Sequence, residues 1–328
     1  MNILLSLREL KVAFPVGAGF LRRPKKLRAV DGVSLELAAG EALGIVGESG
    51  CGKSTLARAI LQLIPPTAGQ VVWMGRDIST LSVSGMRPLR RDMQIVFQDP
   101  LASLDPRMTV GEIVAEPLRV HARELGRDER RARVSEMLQR VGLSADAINR
   151  YPHEFSGGQC QRIGIARAMI LRPQLLVCDE PVSALDVSIQ AQIVNLLQDL
   201  KREFGMSILF VSHNLAVVRR LCDRVLVLYL GKPMEQSATE PLYQEPLHPY
   251  TRGLIAAVPL PDPDVQPHRL GTVLKGELPS PLAPPSGCVF RTRCPMAQEA
   301  CAQAPPQLEE VKPGRWVACW RWQEVEQI

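Results

Sequence analysis

The run Gly47-Glu48-Ser49-Gly50-Cys51-Gly52-Lys53-Ser54, with Thr55 next, carries the pattern G-x-x-x-x-G-K-[ST]. Such a run suits the cradling of a polyphosphate. Its glycines let successive amide N–H groups turn inward on an anion, and a following helix adds partial positive charge at its N-terminus. Lys53 can neutralise β- and γ-phosphates, and the Ser54 hydroxyl can ligate Mg²⁺. A chance glycine turn would match the pattern about once in a hundred chains of this length, before a flanking strand and helix are required.

Two carboxylates form a second candidate. Leu175-Leu176-Val177-Cys178 is an apolar run that delivers Asp179 and Glu180 at its end, where open parallel sheets place their ligands. Asp179 is expected to hold Mg²⁺, directly or through water. Glu180, one residue on, points differently and can take a proton from an attacking water. A structural ion pair is the competing reading. His213 follows the apolar run Ser207 to Val211, so it emerges on the same sheet edge and could reach a γ-phosphate. His121, His153, His248 and His268 read as structural residues.

Cys288, Cys294, Cys301 and Cys319 crowd into a Pro-rich tail with few apolar residues, which cannot fold on burial alone. Metal ligation is a better account than disulfides in a reducing cytosol. Four thiolates suit tetrahedral Zn²⁺ or a [4Fe–4S] cluster, and their spacing does not choose between them. Four free buried thiols are the plain alternative. Cys51, Cys160, Cys178 and Cys222 read as packing or loop residues.

These side chains need elements to hold them. Residues 28 to 46 read as a strand, a turn at Ala39-Gly40, and an apolar strand feeding the glycine loop. Ser54 to Leu63 has helical spacing and stops at Pro65-Pro66. Glu112 to Gly142 is helical and charged, and its arginines form a solvated face rather than a binding patch. Apolar strands at Leu175 to Cys178 and Ser207 to Val211 alternate with helices, which predicts a parallel sheet covered on both faces. The alternating start, Met1 to Phe14, reads as an edge strand. Eleven of the 27 prolines lie between Pro241 and Pro285, which predicts an extended connector before a separate C-terminal segment.

The composition of the 328 residues, 46% hydrophobic and 22% charged, excludes a disordered or fibrous chain. A net charge of +5 is too weak and dispersed to point to nucleic acid. Apolar runs such as Val225 to Leu230 fall far short of the roughly 20 residues of a membrane span. The start lacks the unbroken apolar core of a signal peptide, which predicts a cytosolic location.

Phe155-Ser156-Gly157-Gly158-Gln159, between the glycine loop and the carboxylate strand, resembles the signature of ABC ATPases. Gln98 in Ile95-Val96-Phe97-Gln98-Asp99-Pro100 is similar to the family's Q-loop, Ser183-Ala184-Leu185-Asp186 to its D-loop, and His213 to its switch histidine. The resemblance spans about residues 5 to 235. It implies an α/β fold, a P-loop NTPase (RecA-like) ABC nucleotide-binding domain over residues 1–235 with a helical subdomain inserted at about 99–168. It also implies two such domains closing head to tail on two ATP molecules. Lys53, Ser54 and Asp179 would hold MgATP, with Gln98 as a further metal and water contact. Ser156, Gly157, Gly158, Gln159 and Asp186 would face the ATP of the partner's loop. Phe155, Val182 and Cys160 depart from the family's usual leucine, threonine and basic residue. The adenine-stacking aromatic is missing at its usual spacing, where Pro24 to Leu27 stand; Phe14 and Phe20 lie further upstream.

Ala29-Val30-Asp31-Gly32-Val33-Ser34, His248-Pro249-Tyr250-Thr251 and Gly276-Glu277-Leu278-Pro279-Ser280-Pro281 narrow the resemblance to oligopeptide and dipeptide importer ATPases, most of all the F type of dipeptide permeases. This implies that residues 236–328 form that family's Cys-rich, Pro-rich C-terminal region. There an iron–sulfur cluster, with Zn²⁺ as the alternative, would sit on the four cysteines, its charge offset by Arg291 and Arg293. The activity implied is ATP hydrolysis energising uptake of dipeptides or short oligopeptides. The implied partners are a second, different ABC ATPase, two transmembrane permease subunits and a periplasmic or extracellular peptide-binding protein. The chain would sit peripherally on the cytoplasmic face of the inner membrane. An exporter, or a system for haem, nickel or antimicrobial peptides, is the alternative.

Overall fold

The computed structural model describes residues 2–17, 25–258 and 276–327. Phe20, Pro24 and His268 lie outside the described residues. The chain divides into two compact units, one built mainly from Thr80–Val211 with Ala38–Ala42, the other from Ile3–Leu37, Leu43–Ser79 and Ser212–Ile328.

In the first unit the strands Met93–Val96, Leu175–Asp179 and Ser207–Ser212 run parallel, with Leu175 opposite both Met93 and Ser207. Leu175–Asp179 is buried throughout, as an apolar run covered on both faces requires. The helix Val187–Phe204 returns the chain between the last two strands and ends at Gly205, whose φ of 63° closes the helix in the left-handed region. Between the first two strands lie the helices Val110–His121, Arg127–Arg140 and Gly157–Met169. The Arg127–Arg140 helix buries Val134, Met137 and Leu138 and turns its arginines outward, where Arg133 meets Glu129 at 2.9 Å and Arg140 meets Glu136 at 2.9 Å. Such half-exposed pairs add a few tenths of a kcal/mol at most. The solvated-face reading therefore fits.

The second unit carries a four-stranded sheet in the order Lys25–Ala38, Ile3–Val16, Ala68–Trp73, Arg76–Asp77. Ile3–Val16 is thus an interior strand and not the edge that its alternation suggested. Leu4, Leu5, Leu7, Leu10 and Val12 are all buried, and Lys25–Ala38 and Ala68–Trp73 flank the strand on its two sides. Ala42–Val46 pairs in parallel with Arg224–Tyr229. Lys232–Ala238 then folds back antiparallel through Leu230 and Gly231, whose φ values of 46° and 76° suit a two-residue hairpin turn. Arg315–Val317 and Glu309–Lys312 extend this edge antiparallel. A parallel sheet was expected; the parallel pairs are present, and this antiparallel edge adds to them.

The proline-rich stretch also differs from the extended connector expected. Its described part holds two helices, Thr239–Gln244 and Pro249–Ala256. Pro241 and Pro249 lie in first turns, where a missing amide proton costs no helical hydrogen bond. No helix among the described residues is long and apolar enough to cross a membrane.

Candidate nucleotide site

The glycine loop leaves a fully buried strand, Ala42–Val46, and enters the helix Lys53–Ile60. Gly47 adopts φ 153°, and a Cβ there would stand 2.2 Å from the Leu228 carbonyl oxygen, so only glycine fits. Gly52, at φ 104°, caps the helix. Lys53 is 4% exposed and its Nζ donates to the carbonyl oxygens of Gly47 (2.8 Å) and Glu48 (3.0 Å). That pair of acceptors ties the ammonium group back to the loop. Ser54 and Thr55, half-buried, begin the helix, while Ser49 and Gly50 are exposed. Cys51 packs inside, and burial pushes its thiol up against the lowering influence of Lys53.

Glu48 has partners that the sequence did not reveal. Its amide donates to Tyr250 Oη at 2.8 Å, and its carboxylate accepts a bidentate pair from Arg293 at 2.5 and 3.0 Å. Arg293 was expected to offset charge at the cysteines, and its guanidinium instead grips Glu48. Arg291 donates to the Ser286 carbonyl at 2.9 Å and lies near enough to lower the Cys288 thiol slightly against its burial. Arg321, not Arg293, is the guanidinium that lowers Cys294 against the dominant effect of burial. Nothing in the sequence pairs residue 48 with residue 293; the contact depends on tertiary packing.

His213 is exposed directly after the strand Ser207–Ser212. Asn214 next to it donates from its amide to Ser212 Oγ (3.0 Å), and its side chain caps the helix Leu215–Leu221. His248, by contrast, is structural, as expected. It is 1% exposed, caps Pro249–Ala256 through Nδ1, and burial depresses it to about 3.

In the first unit Asp179 ends its strand fully buried, and Glu180 follows at φ 48°. A non-glycine residue there costs about 1 kcal/mol and swings the second carboxylate off the line of the strand. The turn is pinned: the Glu180 amide donates to Val211 O at 3.0 Å and the Ser183 hydroxyl donates to Glu180 O at 3.1 Å. Gln98 Nε2 donates to Glu180 Oε2 at 3.4 Å, which joins the Q-loop-like glutamine to the second carboxylate.

Ser156 is the N-cap of Gly157–Met169 in a reciprocal box: its Oγ accepts from the Gln159 amide at 3.4 Å, and Gln159 Oε1 accepts from the Ser156 amide at 2.9 Å. As an acceptor in that box, the hydroxyl can still donate its proton to an anion. A Cβ on Gly158 would stand 2.6 Å from Ile189, and one on Gly157 would meet Leu185 at 3.7 Å. The D-loop-like segment therefore packs on the signature-like helix start. Asp186, exposed, begins Val187–Phe204. Phe14 is half-buried in its strand and Phe20 lies outside the described residues, so the adenine contact gains no candidate.

Cys288, Cys294, Cys301 and Cys319 line one cavity with His248, Phe290, Met296 and Trp320. All four are free thiols. Burial pushes Cys294 up to about 11 and Cys319 up to about 12, with the neighbouring cysteines adding to it. Among the described residues no three His, Cys, Asp or Glu side chains stand close enough to hold a metal ion.

The ABC transporter family model matches residues 30–183, and that of the oligopeptide/dipeptide transporter C-terminal region matches residues 234–301. The chain belongs to the ABC transporter ATP-binding proteins and is an ATPase of that class. It is 59% identical over 311 residues to the oligopeptide transport ATP-binding protein OppF of Salmonella typhimurium, which covers 94% of this chain and 93% of that one. The OppF of Haemophilus influenzae is 52% identical over 321 residues, 97% of each chain. Among solved structures, a dimeric post-hydrolysis state of the ATP-binding cassette MJ0796 bound to ADP and Pi matches with TM-score 0.65 and 31% identity, covering 72% of this chain and 99% of that one.

Proposed function

We propose that this chain is the ATP-hydrolysing subunit of an importer of short peptides, working with permease subunits and a peptide-binding protein from the cytoplasmic face of the inner membrane. The observation that carries this reading is likeness to oligopeptide ATPases over nearly the whole chain, including the C-terminal region at residues 234–301. In this reading residues 1–235 are the nucleotide-binding domain, with the helical insertion at about 99–168, and 236–328 the C-terminal region. Lys53, Ser54 and Asp179 hold MgATP. Glu180, oriented by Gln98, accepts the proton of the attacking water, and His213 contacts the γ-phosphate.

The ATP is shared with a second ABC ATPase. Ser156 to Gln159 and Asp186 face the partner's nucleotide, because exposed amides at a helix start attract an anion that their own chain already binds elsewhere. A related cassette solved as a nucleotide-bound dimer supports this. Cys288, Cys294, Cys301 and Cys319 would ligate an iron–sulfur cluster. Their convergence on one cavity supports that assignment. Bound there, the cluster would supply folding energy and no redox step for ATP hydrolysis.

The test is reconstitution of the full transporter in vesicles with labelled di- and oligopeptides. ATP-dependent peptide accumulation is expected, with iron and acid-labile sulfide bound to this chain. Transport of another cargo alone contradicts the peptide reading, and stoichiometric zinc contradicts the cluster.

A further inference from the structure

Glu48 places a carboxylate inside a loop whose shape suits a polyanion. Left unpaired, that charge would oppose the incoming phosphates. Arg293 meets it with two hydrogen bonds, at 2.5 and 3.0 Å, from a position 245 residues away in the chain. The pair is partly screened from water, with side chains 5% and 28% exposed. Two-pronged guanidinium–carboxylate contacts are among the stronger and more directional ion pairs.

Arg293 is itself held. Its amide donates to the Phe290 carbonyl at 3.0 Å, and its guanidinium lies 6.0 Å from the centre of the Tyr229 ring. Phe290 is fully buried against Tyr229 and Tyr250, with ring centroids 5.3 Å apart in each case, and those two tyrosines meet edge to face at 4.7 Å. The same Tyr250 takes the Glu48 amide proton through its hydroxyl. The segment between Cys288 and Cys294 thus reaches the glycine loop by two routes that meet on one residue.

We propose that Arg293 and Tyr250, supplied by the C-terminal region, are positioning residues for ATP binding: together they neutralise Glu48 and fix the backbone of the phosphate loop. This rests on the reading of that loop as the nucleotide site. The cysteine-bearing segment is then part of the machinery that sets affinity for ATP.

ATP-concentration dependence of turnover in the assembled transporter tests it. Arg293→Gln is expected to raise KM for ATP about tenfold while kcat stays within about twofold, since the pair acts on binding rather than on the water attack. Adding Glu48→Gln removes the stranded carboxylate and is expected to recover most of that loss, with Arg293→Lys intermediate. Tyr250→Phe, which keeps the packed ring and deletes the acceptor, should raise KM without lowering kcat even if Arg293→Gln folds poorly. An unchanged KM in Arg293→Gln and Tyr250→Phe overturns the proposal. So does a loss that Glu48→Gln fails to reverse, for then Arg293 serves only the fold of its own segment. Lys53→Ala tests the underlying reading separately: wild-type ATP affinity in that variant would remove the nucleotide from this loop altogether.

Discussion

Ser156 caps a helix, and the phosphate contact proposed for the same hydroxyl can be tested apart from that role. As an N-cap it satisfies the Gln159 amide at 3.4 Å, a contact whose loss costs about 1 kcal/mol. As a phosphate contact it must present no negative charge. Aspartate caps a helix as well as serine does but sets a carboxylate against the phosphate. Ser156→Asp is therefore expected to keep its melting temperature within about 2 °C of wild type while ATP turnover falls about 100-fold. Turnover near normal would leave Ser156 as a cap and nothing more. Glu180 holds a left-handed φ of 48°, a local backbone strain, and its carboxylate accepts from Gln98.

At the scale of elements, the strand Lys232–Ala238 and the loop into Pro249–Ala256 are joined by the fully buried Glu235. Its carboxylate accepts the Leu247 and His248 amides, both at 2.9 Å, with Thr251 and Arg315 also facing it. Burial raises it from 4.5 to about 7. Below pH 4.5 it is protonated in folded and unfolded chains alike and its stabilisation is fully present. As pH climbs toward 7 the unfolded chain ionises first, and up to about 3 kcal/mol is lost. His248 works in the opposite sense, because its imidazole stays neutral in the fold and costs stability as pH falls below 6.5. The two offset one another between pH 4.5 and 6.5. Glu235→Gln is expected to leave the histidine unopposed, so thermal unfolding of that variant should show stability rising with pH across this window where wild type is flatter. Parallel curves for the two proteins would contradict the raised acid.

Much of this was legible in the residues. The glycine loop, the carboxylate pair and the signature-like turn are local, each fixed by φ preferences, capping chemistry or an apolar run within about ten residues. The interior position of Ile3–Val16 and the helices within the proline-rich stretch were not, because strand neighbours and burial of a first turn are set by distant chain. The grip of Arg293 on Glu48 escaped for the same reason.

For the whole molecule, the proposed reading gives one chain a phosphate loop, a carboxylate pair and a signature-like helix start. Ser156 and Gly157 are exposed and Gly158 half-buried, and in the head-to-tail arrangement proposed above they would serve the nucleotide of a second ATPase. No described helix is long and apolar enough to cross a bilayer.

The most direct measurement is ATP turnover by the assembled transporter carrying Glu180→Gln, set beside ATP binding by the same preparation. Turnover is expected to fall at least about 100-fold with binding retained, because the amide cannot take the proton of the attacking water. Turnover close to that of wild type would contradict a hydrolytic role for this chain's own site.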